Sequence, residues 1–142
     1  GTLALLESGS TAGLESLLAS HGRLVAERSN FSISFTSIGK PLVLSPKAMR
    51  QFFFIYREVL NNIEKHARAT NVHVEIDWKE SMVSLHVADN GVGFQTSQLP
   101  TGPHYGLKFM KDRALSVKGS LTIQSEFGSG TRVTVDLPAH LQ

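Results

Sequence analysis

Two alternating runs constrain this chain most tightly. Val72, Val74, Ile76 and Trp78 interleave with His73, Glu75 and Asp77, and Val83, Leu85 and Val87 interleave with Ser84 and His86. Successive side chains on a strand point to opposite faces, so each run predicts a strand with one apolar and one polar side. Lys79-Glu80-Ser81 is short enough to join them as a hairpin. An apolar sheet face must be covered, and the chain supplies helices for that purpose. Leu14, Leu17, Leu18 and Val25 predict an amphipathic helix over about 11–28, with Gly22 a weak point. Ser45-Pro46 is a helix start, with Ser as cap and Pro at the first helical position, and the helix runs to about Ala69. A third helix is expected over about Leu107 to Val117. Phe31, Ile33 and Phe35 alternate as a strand, and Gly39-Lys40-Pro41 turns the chain into a short second run, Leu42-Val43-Leu44. Leu121 and Ile123 pair with Val133, Val135 and Leu137 in a last hairpin around Glu126–Gly130. The order is a helix and two strands, three times over. It predicts an α+β fold, a two-layer α/β sandwich whose mixed, mostly antiparallel sheet carries its helices on one face.

At 142 residues the chain can bury a real core without disulfides, and it reads as one domain over 1–142 with a core of about 11–138. A formal charge of +2 supports no direct contact with nucleic acid. Phe52, Phe53, Phe54 and Tyr56 read as core rather than as a base-stacking platform. The absence of cysteine excludes thiol catalysis and zinc–thiolate sites. No apolar run approaches the roughly 20 residues of a membrane span, and Gly1–Leu6 lacks the basic flank of a signal peptide. A chain that opens on Gly reads as an excised fragment.

The chemistry concentrates in two stretches. On the helix, Glu58, Asn62 and His66 are four residues apart and share a polar face, with Lys65 beside them, while Phe52, Tyr56, Val59, Leu60 and Ile63 form the apolar face. A carboxylate, an amide and two potential cations in a row suit a metal and phosphates. After the second alternating run comes Asp89-Asn90-Gly91-Val92-Gly93-Phe94, one acceptor beside two residues without side chains, which suits a flat base held near backbone. Residues 94–105 are polar and broken by Gly and Pro, a loop long enough to be functional. His73 and His86 lie opposite the apolar strand positions and read as solvent-facing, not as ligands. Arg113 reads as holding its helix to the sheet edge.

Taken together these stretches resemble the ATP-binding catalytic domain of sensor histidine kinases, whose wider family includes DNA gyrase, the heat-shock chaperone of the ninety-kilodalton class, and MutL. Glu58–His66 resembles the family's N box and Asp89–Gly93 its first glycine box. Tyr105-Gly106-Leu107-Lys108-Phe109-Met110-Lys111-Asp112-Arg113-Ala114 resembles the second, and Gly128-Ser129-Gly130-Thr131 the terminal glycine–threonine element. All four stand in the family's order. The Gly-Leu-x-x-Met-x-x-Arg-Ala wording is similar to the subgroup of nitrate/nitrite sensors, whose response regulators have helix-turn-helix outputs.

The resemblance implies a Bergerat-type fold, and ATP and Mg²⁺ as cofactors. Asn62 would bind Mg²⁺ through its side-chain oxygen, and Asp89 would accept from the adenine amino group. Gly91 and Gly93 would let backbone approach the ring, and Thr131 would support the adenine contact. Lys65 and His66 would lie near the phosphates. Residues 94–105 would form the lid, and Gly106 with Leu107 would present amides to phosphate. Glu58 would position Asn62 or the hydrated metal, with general base as a lesser option. His104 stands where the family's second glycine box often has its first glycine. The family's acceptor histidine is followed at once by an acidic residue. Of the six histidines, only His21 is on an N-terminal helix, and Gly22 follows it. The acceptor is therefore expected on a separate dimerisation domain of the same kinase, with a DNA-binding response regulator downstream. The fragment is expected to be monomeric and cytoplasmic, and the parent a homodimeric, membrane-bound sensor. An anti-sigma-factor-type serine kinase and a non-catalytic nucleotide sensor are the alternatives on the same fold.

Overall fold

The computed structural model describes residues 11–93 and 106–139. Helix α1 (Thr11–Ser29) leads to strand β1 (Ser32–Ile38). Helix α2 (Pro46–Asn62) continues into a π-helical turn (Ile63–Ala67) before β2 (Asn71–Trp78) and β3 (Met82–Asp89). Helix α3 (Leu107–Ser116), β4 (Ser120–Glu126) and β5 (Gly130–Pro138) follow. The strands form one sheet in the order β1-β2-β3-β5-β4. The β1–β2 pair is parallel and the other pairs are antiparallel. Parallel neighbours need a crossover, and α2 provides it.

Cross-strand register sorts the side chains by chemistry. Val74, Val87, Val133 and Ile123 share one row, Ile76, Leu85, Val135 and Leu121 the next, and Trp78, Val83 and Leu137 a third. Intervening rows are polar: Glu75, His86, Thr134 and Thr122, then Asp77, Ser84, Asp136 and Ser120. The apolar rows form one core with Leu14, Leu18 and Val25 of α1, the inner face of α2, and Leu107, Met110 and Ala114 of α3. This is the two-layer α+β arrangement that the alternation predicts.

Local departures have physical causes. Leu42-Val43-Leu44 forms no strand. Leu44 is buried, Val43 is 66% exposed, and the chain there is tied through Ser45 N–H donating to the Ala139 carbonyl at 3.1 Å. The Ser45 hydroxyl caps α2 by accepting from Ala48 N–H at 3.1 Å. The buried stripe of α2 is Ala48, Met49, Phe52, Ile55, Tyr56, Val59 and Leu60. Phe53 lies off it and is half-buried, and Phe54, expected in the core, is exposed. Instead, Phe54 and Phe109 sandwich the Arg113 guanidinium, each ring centroid 4.4 Å away. Arg113 also donates from Nη1 to Gln51 Oε1 at 3.3 Å, so it ties α3 to α2 rather than to a sheet edge. Among the described residues no helix is long and apolar enough to cross a membrane.

Gly22 marks where α1 crosses its neighbours. A Cβ there would stand 2.5 Å from the Tyr56 hydroxyl, 2.8 Å from Phe35 Cζ and 2.9 Å from Ile33 Cδ1. Tyr56 is fully buried and its hydroxyl is pinned by donating to the Leu18 carbonyl at 2.8 Å. Helix propensity alone would make Gly22→Ala stabilising by about 1 kcal/mol. Contacts with two elements at once cannot all be relieved by one shift, and overpacking of this kind costs about 1–3 kcal/mol. Gly22→Ala is therefore expected to lower the midpoint of chemical denaturation. An unchanged or raised midpoint would show that α1 can lift away freely.

Candidate nucleotide site

At one end of the sheet the helix-facing side turns polar. Register aligns Asp89 with Thr131, and Thr131 with Ser125, in the row beyond Val87 and Val133. Asp89 Oδ1 accepts from Gly91 N–H at 2.8 Å, and the Thr131 amide also donates to the carboxylate. Burial pushes the Asp89 carboxyl above its ordinary value, and the two amides act against that rise. Ser125 Oγ lies 3.0 Å from the Gly130 carbonyl, to which it donates, and 2.8 Å from Thr131 Oγ1. A carboxylate and a hydroxyl pair are thus held in a row by backbone.

The glycine pair packs against protein backbone. The Cβ position of Gly91 lies 2.2 Å from the Ala67 carbonyl oxygen, a space no side chain can share. Gly93 has φ +66°, and its Cβ position lies 2.0 Å from the Glu126 carbonyl oxygen. Glycine is required at both places by these contacts, whatever else approaches. Two hydrogen bonds complete the junction, from Val92 N–H to the Ala67 carbonyl at 2.8 Å and from Gly128 N–H to the Val92 carbonyl at 2.7 Å.

The end of α2 carries the other candidate residues. Glu58 and Asn62 are one helical turn apart and both half-buried. After Asn62 the backbone becomes the π-helical turn, with Arg68 at φ 54° ending it. The i→i+5 bonding of such a turn displaces the residues after Asn62 from the four-residue stripe, so His66 does not continue the Glu58–Asn62 line. Lys65 is exposed and His66 half-buried. Glu64, inside the same turn, is clamped by Arg28 in two contacts, Nε–Oε2 at 2.8 Å and Nη2–Oε1 at 3.0 Å, and by the Ser29 hydroxyl at 2.6 Å. These partners hold the Glu64 carboxyl below its ordinary value, Arg28 first and Ser29 next.

The start of α3 closes on the same helix. A Cβ on Gly106 would stand 2.8 Å from Glu58 Oε2, which places the Glu58 carboxylate beside the first turn of α3. Leu107 is buried, so its contribution to any ligand is its backbone. The expected lid, residues 94–105 with His104, lies outside the described residues. The structure thus aligns Asp89 with Thr131, joins Gly91 to the end of the π turn, and sets Glu58 against Gly106.

Sequence reasoning passed over three groups here. Asn90 Oδ1 accepts from the amides of Thr70 and Asn71, both at 2.9 Å, and its Nδ2 donates to Thr70 Oγ1 at 2.8 Å. It staples the loop after the π turn, and its place inside the Asp-Asn-Gly motif was the available signal. The Arg28–Glu64 clamp spans 36 positions and carries no local signal. Ser125 has none either.

Comparison with known proteins bears on the family and the fold. Residues 49–141 match the profile of the family described as histidine kinase-, DNA gyrase B-, and HSP90-like ATPase. The chain is 30% identical over 126 residues to the signal transduction histidine-protein kinase/phosphatase DegS of Brevibacillus brevis, covering 89% of this chain and 32% of that protein. It is 38% identical over 86 residues to the sensor histidine kinase LiaS of Bacillus subtilis (strain 168), covering 61% of this chain and 24% of that protein. The chain therefore spans a third or less of these relatives. The Acinetobacter baumannii histidine kinase AdeS shares the fold with a TM-score of 0.74 at 14% identity, over 97% of this chain and 74% of that one. A profile match over most of the chain, on a fold with the same helix-and-sheet layers, decides the family: the chain belongs to the histidine kinase-, DNA gyrase B-, and HSP90-like ATPases, as an ATP-binding domain of the sensor-histidine-kinase type.

Proposed function

We propose that the domain binds Mg-ATP between the α2–π-turn segment and the Asp89–Thr131 row. The γ-phosphoryl then passes to a histidine on the dimerisation domain of the same kinase, for relay to a response regulator. The observation that carries this reading is Asp89, an acceptor fixed by two backbone amides at the open end of a helix-covered sheet. An acceptor with its direction fixed in advance discriminates a base amino group from a carbonyl. Asn62 supplies a neutral hard oxygen, which suits Mg²⁺ held mainly by phosphates and water. Glu58, one turn earlier, orients the Asn62 amide or a water on the metal. Mg²⁺ bound there would neutralise charge on the transferring phosphoryl group. Lys65 and His66, on the following turn, are the residues assigned to the phosphates in this reading, with the amides of Gly106 and Leu107 at the start of α3, where anions are favoured. The glycine-box wording favours a regulator with a DNA-binding output, and likeness to sensor histidine kinases favours a homodimeric, membrane-bound parent with this domain on its cytoplasmic side.

Phosphoryl transfer is tested by mixing the chain with a separately prepared dimerisation domain and γ-labelled ATP. Acid-labile label on the added domain, dependent on Asn62, is expected. Label on serine of a partner protein, or none at all, would refute histidine transfer. For the metal, Asn62→Ala is expected to weaken nucleotide binding at least tenfold with Mg²⁺ and less than threefold in excess chelator, about 1.4 kcal/mol against well under 1. Calorimetry in both buffers reads the difference, and equal losses would remove Asn62 from the metal.

Base selection is separable. Asp89→Asn places an amide where the acceptor stands, and it is expected to cut the preference for ATP over GTP at least tenfold. Competition between the two nucleotides measures the ratio. A preference that survives unchanged would take Asp89 out of base reading.

A further inference from the structure

The polar face of the sheet, turned away from the helices, holds a second group of chemistry-bearing residues. Glu75 pairs with His86 across β2 and β3, and Asp77 stands two residues further along the same side of β2. All three are half-buried, and one donor atom from each lies within 4.8 Å of the other two. We propose that Glu75, Asp77 and His86 bind a divalent cation of the zinc type, bracing β2 to β3 at a site separate from the nucleotide.

The donor set selects the ion. One imidazole with two carboxylates suits zinc and its first-row neighbours, whereas Mg²⁺ prefers oxygen donors alone. Tetrahedral ligands about 2.0–2.2 Å from zinc stand about 3.3–3.6 Å apart, so donor atoms within 4.8 Å of one another must close by at most about 1.5 Å. The Asp77 and His86 donors, 3.8 Å apart, already stand close to that separation. The His86 ring is already oriented to ligate, with Nδ1 lying 3.0 Å from Thr134 Oγ1 and Nε2 facing Asp77 Oδ2 at 3.8 Å. That second distance is too long for a hydrogen bond and leaves room for an ion between the two atoms. With Nε2 on the cation, the Nδ1 proton donates to Thr134, the arrangement that fixes ligating imidazoles elsewhere.

Neighbouring groups are committed differently. His73, on the same face, has Nδ1 at 2.7 Å from Ser34 Oγ and Nε2 at 3.2 Å from Thr36 Oγ1. Asp136 accepts from the Ser84 hydroxyl and from Ser120 Oγ. His86 lies on the outward face that the alternation predicts and is half-buried there.

The test uses the chain stripped of metal, titrated with zinc chloride by calorimetry and with cobalt chloride by visible absorption. One equivalent of zinc is expected to bind in the micromolar range and raise the melting temperature. His86→Gln should weaken it at least tenfold, and Glu75→Gln several-fold. Asn62→Ala should leave zinc binding intact while losing Mg-nucleotide, which separates this site from the proposed ATP site. If His86→Gln does not fold, the paired variant Glu75→Gln with Asp77→Asn carries the same expectation. No saturable equivalent in the wild type, or zinc affinity unchanged in these variants, overturns the proposal.

Discussion

The hydrogen bond from the Val92 amide to the Ala67 carbonyl, 2.8 Å long, joins the two halves of the proposed nucleotide site. One half is the end of α2, the other the segment after β3, and 25 positions of chain separate the two bonded residues. The bond forms only because Gly91 lets the segment beyond β3 lie against the same carbonyl, where a Cβ would approach to 2.2 Å. The spacing between Asn62 and Asp89 is therefore set by backbone, which has few soft degrees of freedom. On the other side, Gly93 locks the same segment against the β4–β5 turn. A site assembled this way needs little side-chain ordering when a ligand arrives, which is the cost preorganisation removes.

The π turn that carries Lys65 and His66 depends on this junction and on Glu64. Its clamp to Arg28 and Ser29 is largely exposed, Arg28 at 54% of its side chain, so it adds little to global stability. Its effect is positional. It ties the turn after Asn62 to the C-terminal end of α1. A π turn leaves the regular i→i−4 ladder, and here side-chain contacts from a distant helix hold it.

The sequence disclosed those features whose cause is local. Period-two alternation gave β2, β3 and β5, and hence the two chemically distinct sheet faces, because register follows from the apolar face. Ser45-Pro46 gave the start of α2, and the spacing of Glu58, Asn62 and Asp89 within recognisable motifs pointed to the candidate site residues. What stayed hidden has partners far along the chain. The π turn looks helical in Ile63-Glu64-Lys65-His66-Ala67, since nothing there announces Arg28. Leu42-Val43-Leu44 looks like a strand, but its backbone is engaged at Ala139 rather than in the sheet. Phe54 is apolar, yet it falls off the buried stripe and is occupied by Arg113. Gly91 and Gly93 suggested room for a base. The structure supplies an independent reason for both, in the carbonyls of Ala67 and Glu126.

Asp89 shows how burial and hydrogen bonding divide the work in such a site. Desolvation is the larger influence and raises its carboxyl, and the amides of Gly91 and Thr131 pull in the opposite direction without cancelling it. Because the folded value is raised, ionisation of Asp89 costs stability as pH rises from the unfolded toward the folded value. Backbone amides take part of the role that water plays elsewhere for the charged form. In the proposed complex a base amino group takes over a further part, donating to a carboxylate that has few other solvating partners. A base offering a carbonyl at the same place would set two acceptors against each other with little water between them, and the unpaired group would bear the full desolvation cost. Selectivity for adenine in this reading follows less from the strength of one hydrogen bond than from the poor solvation of the acceptor that makes it.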